Sequence, residues 1–272
     1  MTQQDYDQLK LTQLEIMDEI HRICVEHTIQ YYIIGGTLLG AVRHQGFIPW
    51  DIDIDVAMMR DDYDKFKDIC KTELGTTYAY CDYLNKKRFR HPHALVCKKN
   101  TEIVFKYDKY NPKYENLGVY VDIFPLDNAP ENETLQITQS KRLIKIKKLK
   151  HYRIPYSCSY SWLKRMMHFL VSAAMIGLSV RRINHMEQKE MQRYRDVTTQ
   201  FVCSMSSQYA YKKQCMKKEV YGIPVLLNFE GRQYYAPSQY LSYLSRLYGD
   251  YMKLPPVEKR KVFMEKIVSV SL

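Results

Sequence analysis

The sequence predicts a mixed α/β fold, in which a mixed sheet with packed helices is followed by a mainly helical C-terminal half. Apolar residues recur at helical spacing from about residue 5 to 28, which predicts an amphipathic N-terminal helix. Short β-rich runs between Gly and Pro turns predict strands at 31–34, 52–58, 94–97, 102–107 and 118–124. We therefore expect a single domain, 1–272, with an α/β core at 1–130 and a helical elaboration at 131–272.

The helix ends carry their own local signals. Thr37 follows a Gly-Gly pair and is predicted to be the N-cap of a short helix at 38–42. Asp61 or Asp62 is predicted to cap the next helix. In the second half, helices are predicted at 141–150 (the basic run KRLIKIKKLK), at 161–182 with a largely apolar sequence, from there to about residue 205, at 238–248 and at 256–268.

The overall charge narrows the classes of partner. The formal net charge of +11 favours nucleotide phosphates, nucleic acid or an acidic membrane surface. The 24 tyrosines are scattered and form no RNA-reading motif, so no nucleic-acid partner is expected. Seven cysteines without a C-x-x-C pair favour reduced thiols and a cytoplasmic location, and the polar N-terminus does not resemble a signal peptide.

Three aspartates at alternate positions are the strongest chemical signal. Asp51, Asp53 and Asp55 share one face of the predicted strand, while the apolar residues between them share the other. Ionised together, the three carboxylates repel one another unless a cation joins them. Hard divalent cations are held by carboxylates together with substrate phosphates. The pattern predicts a site for Mg²⁺, with Mn²⁺ as the alternative, completed by a phosphorylated ligand; the simpler interpretation is a solvated edge strand.

Neighbouring residues strengthen the interpretation as a metal site. Gly35 and Gly36 precede a helix start, where backbone amides can approach a phosphate. Arg43 and His44 can supply positive charge there, or are surface residues. Asp122 lies between apolar neighbours on a later strand, and it completes a carboxylate cluster if the two strands are adjacent. Asp127 stays open as a turn cap or a functional group. His91 and His93 are assigned a loop or structural role because no third metal ligand is evident.

These motifs resemble the nucleotidyltransferase fold of the polymerase β type, with 1–130 as its core. The resemblance is closer to the LicD family of phosphocholine-type transferases, through GGTLLGAVRHQGFIPWDIDIDV, then YVDIFPLD, then YLSRLYGDYMKLPPVEKR. One departure stands out, since the family's acidic block usually reads W-D-D-D-I-D and Ile52 here replaces an aspartate. Because Ile52 faces away from the three carboxylates, the face of the predicted strand that would hold the metal is retained.

The resemblance implies a transferase for a CDP-activated alcohol such as CDP-choline. It would pass the phospho-alcohol to a hydroxyl of a cell-surface glycan of the lipopolysaccharide, capsule or teichoic acid type, and release CMP. It also implies that Asp53, Asp55 and Asp122 are catalytic metal ligands and that Gly35, Gly36 and Thr37 lie against the donor phosphates. We expect Arg43 and His44 to offset charge on the leaving nucleotide, and Asp51 to be a further ligand or to orient one.

Two other functions remain open on the sequence alone. A nucleotidyltransferase that moves NMP from an NTP would use the same carboxylates but release pyrophosphate. A non-catalytic basic module that binds membranes or nucleic acid would have lost metal binding.

The apolar stretch from Trp162 to about residue 182 also has two interpretations. It is too short between its flanking basic residues to span a bilayer. It is either a core helix that covers the catalytic half, which we favour, or a helix at a membrane interface, with 141–150 attracted to anionic lipid. A peripheral membrane contact would suit a lipid-linked glycan acceptor.

Overall fold

The computed structural model describes residues 2–87, 89–106, 117–153, 162–175, 177–260 and 267–272. Its helices are α1 (Gln3–Glu26), α2 (Gly35–His44), α3 (Arg60–Glu73), α4 (Glu133–Arg153), α5 (Trp162–Ala174), α6 (Val180–Met191), α7 (Tyr211–Gln214), α8 (Lys218–Tyr221) and α9 (Tyr240–Tyr248). Its strands are β1 (Tyr32–Ile33), β2 (Asp55–Met59), β3 (Tyr78–Cys81), β4 (Ala94–Lys98), β5 (Glu102–Phe105), β6 (Tyr120–Ala129), β7 (Phe201–Cys203), β8 (Cys215–Lys217), β9 (Val225–Phe229), β10 (Arg232–Ala236) and β11 (Ile267–Ser271).

The main sheet is mixed, which confirms the predicted fold class. Its strands run in the order β1-β2-β6-β4-β3, and β7 and β8 extend it from the far half of β6. Strands β2 and β6 are parallel, and the other pairs in the described part of this sheet are antiparallel. The ten-residue β6 is buried along most of its length and pairs with three other strands. It therefore anchors the strands that carry the acidic residues.

Helix α1 covers the sheet with the face that the sequence predicts. A capping box fixes its start, because Thr2 Oγ1 accepts from the Asp5 amide while the Asp5 carboxylate accepts from the Thr2 amide. The buried positions follow helical spacing and include Leu9, Ile16 and Ile20, each fully inaccessible to solvent. Burial of this apolar stripe stabilises the helix far more than its intrinsic propensity does.

The main hydrophobic core contains residues from both sides of residue 130. Strand and helix residues of the first half, such as Val56 and Phe66, share it with Tyr221, Phe229 and Tyr243 of the second half. The second half also adds strands that the sequence interpretation missed, since β9 and β10 form a hairpin and β11 pairs with β5. Helices still make up most of the regular structure in the described part of the second half, as expected, and these short strands are added to them.

Several predicted element ends differ in the structure. Helix α2 begins at Gly35 with Ile34 at its N-cap, so Thr37 is inside the helix and is not its cap. Helix α3 begins at Arg60, and its N-cap is Met59, although Asp61 and Asp62 lie in its first turn. Residues 51–54 are not strand, and β2 begins only at Asp55.

The second half shows larger differences. The single helix predicted at 161–182 ends at Ala174, and a separate helix runs from Val180 to Met191. The charged helix predicted to extend to about 205 ends well before β7. Of the helix predicted at 256–268, the structure has a short 3₁₀ turn at 257–259 and strand β11, while 261–266 lies outside the described residues. The predicted strand end at 107 also lies outside them.

The apolar sequence of α5 does not make it a core helix. Trp162 and Phe169 are each 71% exposed, and the neighbouring apolar side chains are exposed too. Among the described residues, no helix combines the length and the apolar character that crossing a bilayer requires.

Candidate active site

The parallel pairing of β2 and β6 brings two of the predicted carboxylates together. Asp55 lies directly opposite Asp122 in this register, and the Asp122 amide donates to the Ile54 carbonyl at 3.0 Å. The two strands are thus adjacent, which was the condition for Asp122 to join the cluster. Extended chain places Asp53 two residues before Asp55 on the same side.

Burial alternates through this segment as the sequence predicts. Ile52, Ile54 and Val56 are buried in the core, while the aspartates between them are half-buried. Desolvation raises the pKa of Asp53 well above its usual range, and the charges of Asp55 and Asp51 raise it further. Burial likewise raises the pKa of Asp55, with further contributions from the charges of Asp122 and Asp51.

The glycine pair makes room for these carboxylates. A Cβ at Gly35 would lie 2.7 Å from Asp55 Oδ2, and a Cβ at Gly36 would lie 2.8 Å from Asp51 Oδ2. Gly35 also has a φ of +56°, which favours glycine. The Gly36 amide donates to the Asp55 carboxylate, while the Gly35 amide donates to the Tyr243 hydroxyl at 3.3 Å. The sequence suggested phosphate contact for this pair, but did not suggest that carboxylates press against it.

Thr37 connects α2 to the acidic segment. Its buried hydroxyl accepts from the Asp55 amide at 2.8 Å and donates to the Asp53 carbonyl at 3.4 Å. It thus satisfies the Asp53 carbonyl and the amide of Asp55, the first residue of β2. Thr37 therefore fixes where Asp53 and Asp55 sit relative to the start of the helix.

A histidine that sequence reasoning had set aside contacts the third carboxylate. His93 Nε2 lies 2.5 Å from Asp122 Oδ1, and the His93 ring packs on Phe124 with ring centroids 4.1 Å apart. His91 lies beside it, and the ligand atoms of His91, His93 and Asp122 are all within 4.8 Å of one another. Burial, and then the charges of His93 and Arg90, lower the pKa of His91 well below its usual value, which keeps that ring neutral. The third group that the sequence interpretation did not find is Asp122, which lies 29 residues from His93 along the chain.

The carboxylates open onto a cavity of about 530 Å³. One wall carries Asp53, Asp55 and Asp122, and the loop before β4 adds Arg90 to His93. A second wall comes from the second half of the chain, through Lys147 and Lys150 of α4, Glu187 of α6 and the loop at 206–209. A volume of this size suits a small-molecule substrate, for which typical sites measure roughly 300–1000 Å³.

The basic wall is held in place by buried contacts. Lys150 forms an ion pair with Glu187 at 2.5 Å, with 6% and 1% of the two side chains exposed. Lys147 Nζ donates to the carbonyls of Met205 and Ser207, and burial lowers its pKa. These residues were noted in the sequence only as part of a basic run. The sequence does hold a signal for the two lysines. Lys147 and Lys150 are three residues apart, on a helix whose Leu143 and Ile146 are buried.

The remaining predicted site residues, Asp51, Arg43 and His44, are not among the described residues that line the cavity. Asp51 contacts Gly36 and lies in hydrogen-bonding contact with Asp53. Arg43 and His44 lie in the last turn of α2, where Arg43 Nη1 donates to the Tyr251 carbonyl at 2.9 Å. The His44 ring contacts Trp50 edge-on.

Asp127 has a structural role and is not a turn cap. It lies within β6, only 1% exposed, and accepts two hydrogen bonds of 2.7 Å from the guanidinium of Arg60. This bidentate pair joins α3 to the sheet away from the cavity lining.

The residues present fit a bound divalent cation. Burial and mutual repulsion disfavour the ionised state of Asp53 and Asp55, which lie beside Asp122, and a cation would reverse that penalty. Their oxygen atoms suit Mg²⁺ or Mn²⁺, while the imidazoles near Asp122 would also suit transition metals.

Known proteins share these features of the sequence. Residues 28–158 match the family model described as LicD/FKTN/FKRP, nucleotidyltransferase domain. The chain is 32% identical over 262 residues to the lipopolysaccharide cholinephosphotransferase LicD of Haemophilus influenzae, and the match covers 93% of each chain. It is 30% identical over 97 residues to the mouse ribitol 5-phosphate transferase FKRP, covering 36% of this chain and 17% of that protein. A Rickettsia prowazekii protein of uncharacterised function is 33% identical over 124 residues, covering 45% and 41%. The similarity to the Haemophilus protein over 93% of each chain, together with the family model that matches the acidic segment, shows that this chain belongs to the LicD family.

Proposed function

We propose that the protein is a metal-dependent transferase that moves a phospho-alcohol from a CDP-activated alcohol to a hydroxyl of a cell-surface glycan, releasing CMP. The observation that carries this proposal is the parallel register of Asp55 and Asp122, with Asp53 beside them, on the wall of a substrate-sized cavity. The names of the LicD and FKRP relatives support phosphocholine or a ribitol phosphate as the transferred group. Ethanolamine and glycerol are the other alcohols to test.

Asp53, Asp55 and Asp122 would hold the metal ion, Mg²⁺ or in its place Mn²⁺. When bound, such an ion neutralises negative charge on the donor phosphates and on the departing CMP. Asp51, in contact with Asp53, would be a further ligand or would orient that carboxylate.

Displacement at phosphorus depends on neutralising charge and on aligning the attacking and leaving oxygens. We assign to Asp122 the acceptance of the proton from the acceptor hydroxyl, with His93 fixing the orientation of its carboxylate through Oδ1. Gly35, Gly36 and Thr37 would lie against the donor phosphates. Arg43 and His44 would offset charge on the nucleotide from the end of α2.

The acceptor is proposed to be a glycan of the lipopolysaccharide, capsule or teichoic acid type, in a lipid-linked form. A cytoplasmic site of action is proposed with it. The described cysteines are buried and form no disulfide with one another, as a reducing compartment allows; they are Cys24, Cys70, Cys81, Cys97, Cys203 and Cys215.

The proposal is tested by the products of the purified protein. With Mg²⁺, a lipopolysaccharide acceptor and CDP-choline, CDP-ethanolamine, CDP-ribitol or CDP-glycerol, we expect CMP release from one CDP-alcohol. Asp53→Asn and Asp55→Asn should each lower turnover by about a hundredfold or more while the fold is retained, because charge stabilisation of this kind contributes several kcal/mol. Mass spectrometry of the glycan would identify the added group.

Controls separate the proposal from its competitors. Asp196→Asn removes an exposed carboxylate outside the cavity lining and should leave turnover unchanged. Pyrophosphate release from an NTP would favour the nucleotidyltransferase instead. Near-normal turnover of Asp53→Asn would remove the assignment of the carboxylates, and the absence of any metal-dependent nucleotide binding would favour a non-catalytic module.

A further inference from the structure

Helix α5 presents a continuous apolar face to solvent. Its exposed apolar side chains fall within roughly 160° of the helix circumference at about 100° per residue. They are Trp162 (71% exposed), Leu163 (54%), Met166 (49%), Met167 (53%), Phe169 (71%) and Leu170 (59%). Ala173 and Ala174 continue this face and are also exposed. A contiguous exposed apolar patch on a folded protein marks a surface that binds another molecule or a membrane.

The other side of α5 is tied to the rest of the protein by polar contacts. His168 Nε2 donates to the His151 carbonyl at 3.2 Å, and Arg153 Nη1 donates to the carbonyl and the hydroxyl of Ser172 at 3.1 Å each. Val171 and Met175 lie on this same side and are partly buried. The orientation of the helix is therefore fixed with its polar side inward, which reverses the usual arrangement of a surface helix.

Helix α4, which holds α5 in place, carries an exposed basic stripe. Lys141, Lys145 and Lys148 are exposed and share one face of the helix with the exposed Ile137 and Ile144. Lysines interleaved with aliphatic residues are typical of surfaces that lie against anionic lipid headgroups. The chain as a whole has a net charge of +11, which adds a long-range attraction of the same sign.

We propose that α5 and the basic stripe of α4 together form a membrane-binding surface, in which α5 lies in the plane of an anionic bilayer and the lysines contact its headgroups. Trp162 and Phe169 suit this position because aromatic side chains favour the boundary between headgroups and acyl chains. Charge decides between a bilayer and a second copy of the chain. Pairing two copies would bring two strongly positive molecules together, whereas an anionic membrane neutralises the lysines. This surface is independent of the proposed activity.

The position of α4 gives the surface a consequence for substrates. The same helix that carries the exposed lysines places Lys147 and Lys150 in the wall of the cavity. A chain bound in this way keeps one wall of the cavity within a helix diameter, about 10 Å, of the headgroups. The surface thus suits an acceptor that is itself anchored in the bilayer.

Flotation of the full chain with lipid vesicles tests the proposal. We expect the protein to float with vesicles of phosphatidylcholine containing about a third phosphatidylglycerol, and to bind pure phosphatidylcholine at least about tenfold more weakly. The double variant Trp162→Ser/Phe169→Ser should lose binding about tenfold or more, since two large apolar side chains leave the bilayer. Lys141→Glu/Lys145→Glu should weaken binding to the anionic vesicles alone. The matched control is Ile223→Ser, at a side chain 83% exposed outside α4 and α5, which should float like wild type.

Two further measurements keep folding and self-association apart from lipid binding. The emission of Trp162, one of two tryptophans, should shift to the blue on adding anionic vesicles, and the shift should vanish in Trp162→Phe. Each variant should keep the wild-type Tm and the wild-type rate of donor turnover in solution. The proposal is overturned if wild type does not float, if the Trp162→Ser/Phe169→Ser variant floats unchanged, or if light scattering shows a dimer in solution that this variant dissociates.

Discussion

At the scale of the residue, the glycine pair shows how closely the acidic segment is packed. Gly35 combines a left-handed backbone with a carboxylate oxygen 2.7 Å from where a Cβ would be placed. Gly75 has the same φ of +56° but has nothing within 4 Å of that position. The two glycines therefore allow backbone strain and contact with the carboxylate to be measured separately.

We expect Gly35→Ala to abolish turnover and Gly75→Ala to leave it unchanged. Both variants should lose stability by about 1–2 kcal/mol because alanine is strained in this conformation. Only Gly35→Ala also pushes the Asp55 carboxylate away from its place opposite Asp122. Turnover and urea denaturation of the two variants check this, and equal activity in both would show that Asp55 tolerates displacement.

Single residues also mark the limit of what the sequence could predict. Asp51, Asp53 and Asp55 alternate in burial with the apolar residues between them, as the sequence predicts, although only Asp55 lies in a strand. The contact between His93 and Asp122 depends on how the loop before β4 packs against β6, which no local pattern encodes. Thr37 was misassigned for a related reason, because its hydroxyl serves a segment 18 residues away and not its own helix end.

At the scale of the element, β6 links the cavity to the rest of the sheet. Asp122 near its start faces the cavity, and Asp127 further along is paired with Arg60 of α3. Removing one partner of a buried ion pair leaves the other charge without compensation, which is more costly than replacing both.

We expect Asp127→Asn to lower the free energy of unfolding by about 3–5 kcal/mol. The double replacement Arg60→Met/Asp127→Leu should recover most of that loss, since no buried charge then remains. Urea denaturation of the single and double variants, followed by circular dichroism, provides the measurement. A single variant as stable as wild type would mean that the pair is not desolvated as the structure has it.

Whole elements were predicted unevenly, and α5 shows why. Its apolar sequence indicates a helix but does not tell whether the apolar face is buried or exposed, because periodicity alone does not identify the partner surface. The strands β7 to β10 were missed because they are short and pair within the second half, where helical patterns dominate the sequence. By contrast, α1 was predicted well, since its stripe is long and regular.

At the scale of the whole molecule, the carboxylate cluster links stability to pH and metal. A carboxyl group whose pKa is raised by folding binds its proton more tightly in the folded state than in the unfolded state. Its contribution to stability therefore falls as pH rises from about 4, the usual carboxyl value, through the raised pKa. Burial lowers the pKa of His21, so the contribution of this histidine to stability rises with pH. The contribution of the carboxylate cluster must therefore be measured as the difference between wild type and a variant.

We expect Asp53→Asn to melt at a higher temperature than wild type in EDTA, with a difference that grows as pH rises from about 5 to 8. A gain of about 1 kcal/mol corresponds to roughly 2–4 °C in Tm for a chain of this size. Mg²⁺ should raise the Tm of wild type and have little effect on the variant. Differential scanning calorimetry checks both, and a difference independent of pH would contradict the link to Asp53 ionisation.

The two walls of the cavity come from different stretches of the chain, which has a consequence for substrate selectivity. The carboxylates lie within the 28–158 segment that the family model matches, whereas Glu187 and the loop at 206–209 lie outside it. Substitutions at Glu187 or in the loop at 206–209 leave the carboxylates in place. We therefore expect them to change which substrate the cavity accepts more than whether the reaction proceeds.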